Sequence, residues 1–325
     1  MVDSRATPHS ALRTPHVPKR SALRLGTRGS PLALWQARYL DSLLAPFTDP
    51  RPRELVLIET SGDRDQASAL SAMGGFGVFT KAIQNALLED RADIAVHSLK
   101  DLPTLETQGV ELVATPRRGP TGDAFLSRKH SRFDDLPRGA TVGTSSLRRR
   151  AMLANRRPDL NLVDLRGNVD TRLRKLDDQN LDAIVLAEAG LVRLGLAERI
   201  TELLDPEWML PAVGQGAIGL ECRTDDADSR YLAEGVTDPD TWARVTAERA
   251  MLAALGGGCL VPIGATSTAV EGVLTIRGMV LTADGRRRIS ATHRGSTSAP
   301  LAVGQELAAM LLDEGAAELL KGSTP

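Results

Sequence analysis

The stretch Thr141-Val142-Gly143-Thr144-Ser145-Ser146-Leu147-Arg148-Arg149-Arg150-Ala151-Met152-Leu153-Ala154-Asn155 passes from an apolar strand signal at 141–143, through three hydroxyl residues, to a helix predicted over 146–155. Ser145 reads as the N-cap, because a serine oxygen there accepts from one of the N–H groups that a helix start leaves unpartnered. The same strand-to-helix step recurs from about residue 22 onward. Strands are predicted at 23–26, 55–60, 94–97, 162–165 and 183–187, and helices at 31–44, 80–89, 170–176 and 190–194. Short apolar runs alternating with amphipathic segments are the pattern of an α/β chain with a largely parallel sheet. Two such units are expected, the first ending near residue 116, where Arg117-Arg118-Gly119-Pro120 suits a crossing into the second. Beyond about residue 238 the pattern changes. A helix over 239–255 opens on proline, apolar alternation follows at 273–281, Asp284-Gly285 turns the chain into a strand at 289–293, and a last helix covers 300–320. This third region predicts a smaller α+β unit.

Composition narrows the function. Forty Lys and Arg against 41 Asp and Glu leave a net charge of −1, so overall charge gives no reason to expect nucleic acid, a membrane or another polyanion as partner. Only Cys222 and Cys259 are present, with no C-x-x-C pair, which favours a reducing compartment and argues against structural zinc. The five histidines are scattered and predict no metal site. No apolar run reaches the length of a membrane span, so a cytoplasmic protein is expected, and residues 1–20, rich in Pro, Ser, Arg and His, read as a disordered tail.

The arginines at 148–150 sit where a helix dipole is positive, which disfavours cations by about 0.3–1 kcal/mol each when exposed. A compensating anion is therefore expected. Thr144, Ser145 and Ser146 hydroxyls, open N–H groups and guanidinium forks make a receptor for carboxylate or phosphate; ion pairs with acidic neighbours are the other reading. Arginine stands at two more such junctions, Thr27-Arg28-Gly29-Ser30-Pro31 and Arg166-Gly167-Asn168, the latter followed by Arg172 and Arg174. In an open α/β sheet ligands bind outside the carboxyl ends of the strands, so these side chains are expected to converge on one cleft. At a fourth junction, Ser98-Leu99-Lys100-Asp101, Asp101 reads either as a turn residue paired with Lys100 or as a carboxylate that handles positive charge in that cleft. His97 reads as a satisfied strand-end residue. Cys259, after Gly256-Gly257-Gly258, reads as a small buried residue behind a glycine helix cap or as a thiol open to chemistry.

Taken in order, six segments resemble the porphobilinogen deaminase (hydroxymethylbilane synthase) family: Thr27-Arg28-Gly29-Ser30-Pro31-Leu32-Ala33, Ala95-Val96-His97-Ser98-Leu99-Lys100-Asp101, Gly143-Thr144-Ser145-Ser146-Leu147-Arg148-Arg149, Leu165-Arg166-Gly167-Asn168, Pro211-Ala212-Val213-Gly214-Gln215-Gly216 and Gly257-Gly258-Cys259. The resemblance implies two domains similar to type II periplasmic binding proteins, residues 21–116 with 217–236 and residues 117–216, and a third over 237–325. It implies a transferase that joins four porphobilinogen molecules head to tail on a dipyrromethane cofactor, held by a thioether at Cys259, and releases hydroxymethylbilane. Asp101 would be catalytic, assisting loss of ammonia and stabilising the cationic azafulvene. Lys100, Thr144, Ser146, Arg148, Arg149 and Asp63 would bind the cofactor. Arg28, Ser30, Gln36, Arg166, Arg172 and Arg193 would bind substrate and growing chain. Each pyrrole carries an acetate and a propionate, the anions that the arginines call for. The protein is expected to act as a monomer on its small-molecule substrate, with no nucleic acid, membrane or metal. The sequence departs from the commonest family pattern at 67–78, where Ala72 and Phe76 replace lysines. The rival reading is a non-enzymatic, periplasmic-binding-protein-like anion binder or sensor.

Overall fold

The computed structural model describes residues 21–60, 80–257 and 261–321. β1 (Leu23–Thr27) lies between two parallel neighbours, β2 (Arg53–Leu57) and β3 (Ile94–Ser98). α1 (Pro31–Thr48) follows β1 and starts as its sequence dictates, with Pro31 at the first turn and the Ser30 Oγ accepting from Ala33 N at 3.3 Å. α2 (Lys81–Leu88) precedes β3. The sheet is completed by β4 (Val110–Ala114) at the edge, and by a strand that returns late in the chain, giving the order β2-β1-β3-β10-β4 with β10 at Ile218–Arg223. Leu40 and Leu44 of α1 bury against Leu23, Leu25, Ile94, Val96, Ile218 and Leu220, a single apolar core.

The second sheet repeats the plan. β5 (Asp123–Leu126), β6 (Thr141–Gly143), β7 (Asn161–Val163), β8 (Ala183–Ala187) and β9 (Glu202–Leu203) are ordered β7-β6-β8-β5-β9. α3 (Leu147–Arg156) follows β6, α4 (Val169–Asp178) follows β7, and α5 (Glu188–Arg193) follows β8. After β10 come α6 (Ala227–Glu234) and α7 (Pro239–Ala254). The third sheet is an antiparallel meander of β11 (Ile263–Val270), β12 (Val273–Leu281) and β13 (Arg288–Ser296), packed against α7 and α8 (Pro300–Asp313) around Met251, Leu274, Ile276, Leu307 and Leu311.

The α/β architecture is as expected, with local differences. Each five-stranded sheet, expected to be largely parallel, has an antiparallel fourth strand that the apolar pattern did not mark, β10 against β3 and β5 against β8. Both strands carry a buried carboxylate, Glu221 and Asp123, that interrupts the apolar signal; Glu221 is answered by His97 Nε2 at 2.9 Å and by Gln84 Nε2. His97 is thus a buried strand residue beside a carboxylate, with no hydrogen bond to Nε2 among the described residues. The α3 N-cap is Ser146, not Ser145, because the Ser145 hydroxyl is engaged with both N and O of Leu165 at 3.0 Å. The last helix breaks at Gly315, whose φ of 94° no helical residue adopts, and resumes as α9 (Ala316–Leu320).

Two crossings join the five-stranded sheets, 115–122 between β4 and β5, and 204–217 between β9 and β10, and they touch. Gly119 N donates to Gly216 O at 3.1 Å, and Gln215 Nε2 donates to Thr121 O, Gly122 O and the Asp123 carboxylate. Arg118, on the first crossing, forks onto Glu248 of α7, which also accepts from Gly214 N and Ser267 Oγ, so the third unit grips both crossings. Gly216 has φ 82°, and a Cβ there would strike the carbonyl oxygen of Pro120. Gly216→Ala is therefore expected to destabilise the fold by about 2–4 kcal/mol, from backbone strain together with the clash. A thermal melt reads this, and an unchanged midpoint would show that the crossings do not need to touch.

Candidate active site

The carboxyl ends of the parallel strands in both sheets open on one cleft of about 360 Å³. From the first sheet it receives Arg28 and Ser30 after β1, and Ser98, Lys100 and Asp101 after β3. From the second come Ser146, Arg148 and Arg149 at the start of α3, Arg172 on α4 and Arg193 on α5, with Gln215 and Gly216 as floor between them. The walls present six cations, Arg28, Lys100, Arg148, Arg149, Arg172 and Arg193, against two carboxylates, Asp101 and Asp170. That imbalance makes the cleft a receptor for a molecule carrying several carboxyl groups.

The helix start that opened the reading has an internal counter-ion. Asp123, wholly buried, accepts from Arg148 Nη1 at 2.6 Å through one oxygen, and from Arg149 Nε and Nη2 at 3.0 and 2.7 Å through the other. Burial alone would push its carboxyl up; Arg148 and Arg149 overcome this and hold it well below the usual carboxylate range. Arg148 Nη1 also donates to Leu210 O and Arg149 Nη1 to Val185 O. The two guanidiniums are thereby fixed from behind, at the wall of the cleft. The sequence left a ligand anion and ion pairs with acidic neighbours both open here; Asp123 is such a neighbour, and its one visible signal is a charged residue opening the apolar run Ala124-Phe125-Leu126.

The remaining cations crowd one another. Burial, then Arg149 and Arg172, bring the Lys100 ammonium down to about 8 against the pull of Asp101 and Asp123. Burial, then Arg149 and Arg166, lower Arg172 to about 10 although Asp101 opposes them, and burial lowers Arg193 to about 10. At the cleft wall Arg148 Nε is buried with no hydrogen-bond partner among the described residues. An orphaned donor among mutually repelling cations suits an anion. A dipyrromethane with its acetate and propionate groups fits this donor set.

Other expected residues lie at the margins. Thr144 is buried beneath the cleft wall, and its Oγ1 accepts from Ser146 N. Gln36 is buried and donates from Nε2 to Ser98 Oγ at 2.9 Å, in a side recess shared with Arg28, Ser30 and Asp101. Arg166 is half-buried beside Arg172 and does not line the cleft. Arg150 pairs with Asp164 at 3.2 Å, a surface contact worth little. Asp63, Cys259 and the segment 67–78 lie outside the described residues. The chain leading towards Cys259 is described as far as Gly257. Gly256, at φ 66°, caps α7, Thr104 Oγ1 approaches Gly257 O at 3.4 Å, and Arg249 donates to Leu102 O and Pro103 O. Gly257 is thus held beside the turn that follows Asp101. Among the described residues no group of His, Cys, Asp and Glu could hold a metal, and no helix is long and apolar enough to cross a membrane.

Two family models match the chain, "Porphobilinogen deaminase, dipyromethane cofactor binding domain" over residues 23–231 and "Porphobilinogen deaminase, C-terminal domain" over residues 242–313. Porphobilinogen deaminases from two strains of Acidithiobacillus ferrooxidans are 49% identical over 300 residues, 92% of this chain and 97% of theirs. Among solved structures, the methionine-binding protein MetQ aligns with a TM-score of 0.43 at 15% identity over 66% of this chain and 89% of its own. The VFT2 domain of Bordetella pertussis BvgS aligns with a TM-score of 0.41 at 16% identity, over 66% of this chain and 86% of its own. With its cationic cleft and both family models in register, the chain belongs to the porphobilinogen deaminase family, transferases that build hydroxymethylbilane from porphobilinogen on a dipyrromethane cofactor.

Proposed function

We propose that Asp101 is the catalytic carboxylate of this enzyme and that Cys259 tethers its dipyrromethane primer through a thioether. The observation that carries the reading is the place of Asp101, at the carboxyl end of β3, inside a cleft lined by six cations, two of them, Arg148 and Arg149, fixed from behind by Asp123. Arg148, Arg149, Lys100, Ser146, Thr144 and Asp63 form the primer's side of the site. Arg28, Ser30, Arg172 and Arg193 form the side that meets porphobilinogen and the lengthening chain, with Gln36 in the recess beside Arg28 and Arg166 next to Arg172 as further contacts. When bound, the primer supplies a nucleophilic pyrrole carbon. Asp101 stabilises the positive charge that develops on porphobilinogen as its amine leaves as ammonia, and it stands where a proton must be moved at nitrogen. The fixed guanidiniums orient the pyrrole carboxylates, so the reacting carbons meet in a set geometry. The anchoring of Gly257 beside Thr104 supports the tether, because it starts the Cys259 segment next to the Asp101 turn.

The three sheets support a division into residues 21–116 with 217–236, residues 117–216, and residues 237–325, with the two crossings as hinge. We read the enzyme as a cytoplasmic monomer. Cys222 is a buried thiol that burial pushes up to about 12, in keeping with a reducing compartment. The direct test is to supply porphobilinogen to the purified protein and follow ammonia and hydroxymethylbilane; a folded protein that consumes none contradicts the reading.

A pH dependence follows from Lys100. Its ammonium is lowered from the ordinary lysine value to about 8, so it is charged below that pH and neutral above it. Attraction for carboxylates is full below pH 8 and declines as pH rises through it. Assembly of the primer by cofactor-free protein, followed by intact mass from pH 7 to 9.5, is expected to slow above about pH 8. Lys100→Arg, charged throughout, is expected to flatten that limb. An unshifted limb in Lys100→Arg would assign it elsewhere.

A further inference from the structure

Beyond Arg193 the cleft continues into a second hollow of about 470 Å³. Pro31, Arg193 and Leu194 line both spaces, and Trp35, Arg38 and Tyr39 complete the outer one. Pro31, Trp35, Arg38 and Tyr39 share one face of α1, spaced as helical neighbours are. Trp35 and Tyr39 stack with ring centroids 5.3 Å apart and planes 18° from parallel. The Arg193 guanidinium carbon lies 5.4 Å from the Trp35 centroid, while its Nη2 donates to Gly216 O at 2.6 Å. Arg193 is thus the partition between the two spaces, held on one side by an aromatic ring and on the other by the crossing. Arg38 is exposed and makes no ion pair among the described residues. The outer hollow offers aromatic faces flanked by two guanidiniums, the chemistry of a carboxylated aromatic ring.

Size gives it a purpose. A cleft of about 360 Å³ stands near the lower end of the roughly 300–1,000 Å³ that takes one drug-sized ligand. It suits a two-ring primer, whereas four additions produce six rings, each with an acetate and a propionate. We propose that the groove of Trp35, Arg38, Tyr39 and Arg193 is an outer subsite for a carboxylated pyrrole, with the aromatic pair beside the ring and Arg38 on its acetate or propionate. This rests on the reading of the cleft as the site of porphobilinogen polymerisation. Two sources share the chemistry: the far rings of the lengthening chain, and free porphobilinogen held before it reacts.

The test uses holoenzyme carrying Arg38→Glu or Trp35→Leu, given limiting porphobilinogen, quenched over time and weighed intact. The first addition is expected within about twofold of the unsubstituted enzyme and the last two slowed by about tenfold or more, so complexes with two added rings accumulate. That outcome assigns the groove to the far rings. In a second arm, Asp101→Asn holoenzyme is titrated with porphobilinogen while tryptophan fluorescence is followed; a change abolished by Arg38→Glu assigns the groove to free porphobilinogen. Additions that all proceed at the original rate, or that all slow alike with fluorescence independent of Arg38, overturn the subsite. Absence of any covalent ladder in the unsubstituted enzyme would instead overturn the reaction itself.

Discussion

Asp101→Asn is expected to lower kcat by about 10²–10⁴-fold, the range of a positioned acid–base or charge-stabilising group, while the primer is still assembled and the melting temperature is unchanged. Asparagine has nearly the shape of aspartate, and the short turn of Leu99–Asp101 is held by its own backbone, Leu102 N donating to Leu99 O at 3.1 Å. What disappears is the negative charge. Because that charge opposes burial at Lys100 and Arg172, the Lys100 ammonium should move further below 8 in the variant. The two effects separate a chemical role from a structural one: turnover falls and the Lys100 titration shifts, but folding does not change. Near-normal turnover would remove Asp101 from the mechanism.

The second large effect is on stability and assembly together. Asp123→Asn takes the counter-charge from two buried guanidiniums and leaves Arg148 and Arg149 facing each other, an arrangement that costs about 3–5 kcal/mol when one member of a buried set is removed. In a protein of this size the loss reads as a fall in melting temperature on the order of 10 °C. Primer assembly should slow even where the variant is folded, since Arg148 and Arg149 are no longer fixed at the cleft wall. A stable variant that assembles primer at the original rate would show that Asp123 does not organise the receptor.

Much of this was legible in the residues, and the exceptions have physical causes. The alternation of apolar and amphipathic segments located β1, β3, β6 and β8, and Ser30 with Pro31 marked the start of α1, because local pattern and capping agree there. β5 and β10 were hidden because their partners lie far along the chain and each buries a carboxylate that meets its partners, Arg for Asp123 and His and Gln for Glu221, only in the folded protein. The cationic helix start pointed to an anion; it could not reveal that one such anion, Asp123, opens β5, a strand of the same sheet that the local pattern did not mark. Gln36, expected among the substrate contacts, is buried against Ser98 in a recess that it shares with Arg28, Ser30 and Asp101, a placement that no local pattern shows. Pairing between the segment after Asp101 and a distant glycine, as between Thr104 and Gly257, is set by the packing of α7 and lies beyond any local pattern.

The account stands or falls on a carboxylated primer held at Cys259 within reach of Asp101. The intact mass of the purified protein tests it most directly. The account predicts a mass above that of the unmodified chain by two pyrrole units, an increment absent from Cys259→Ser. A folded, unmodified protein, or an increment that persists in Cys259→Ser, would contradict it.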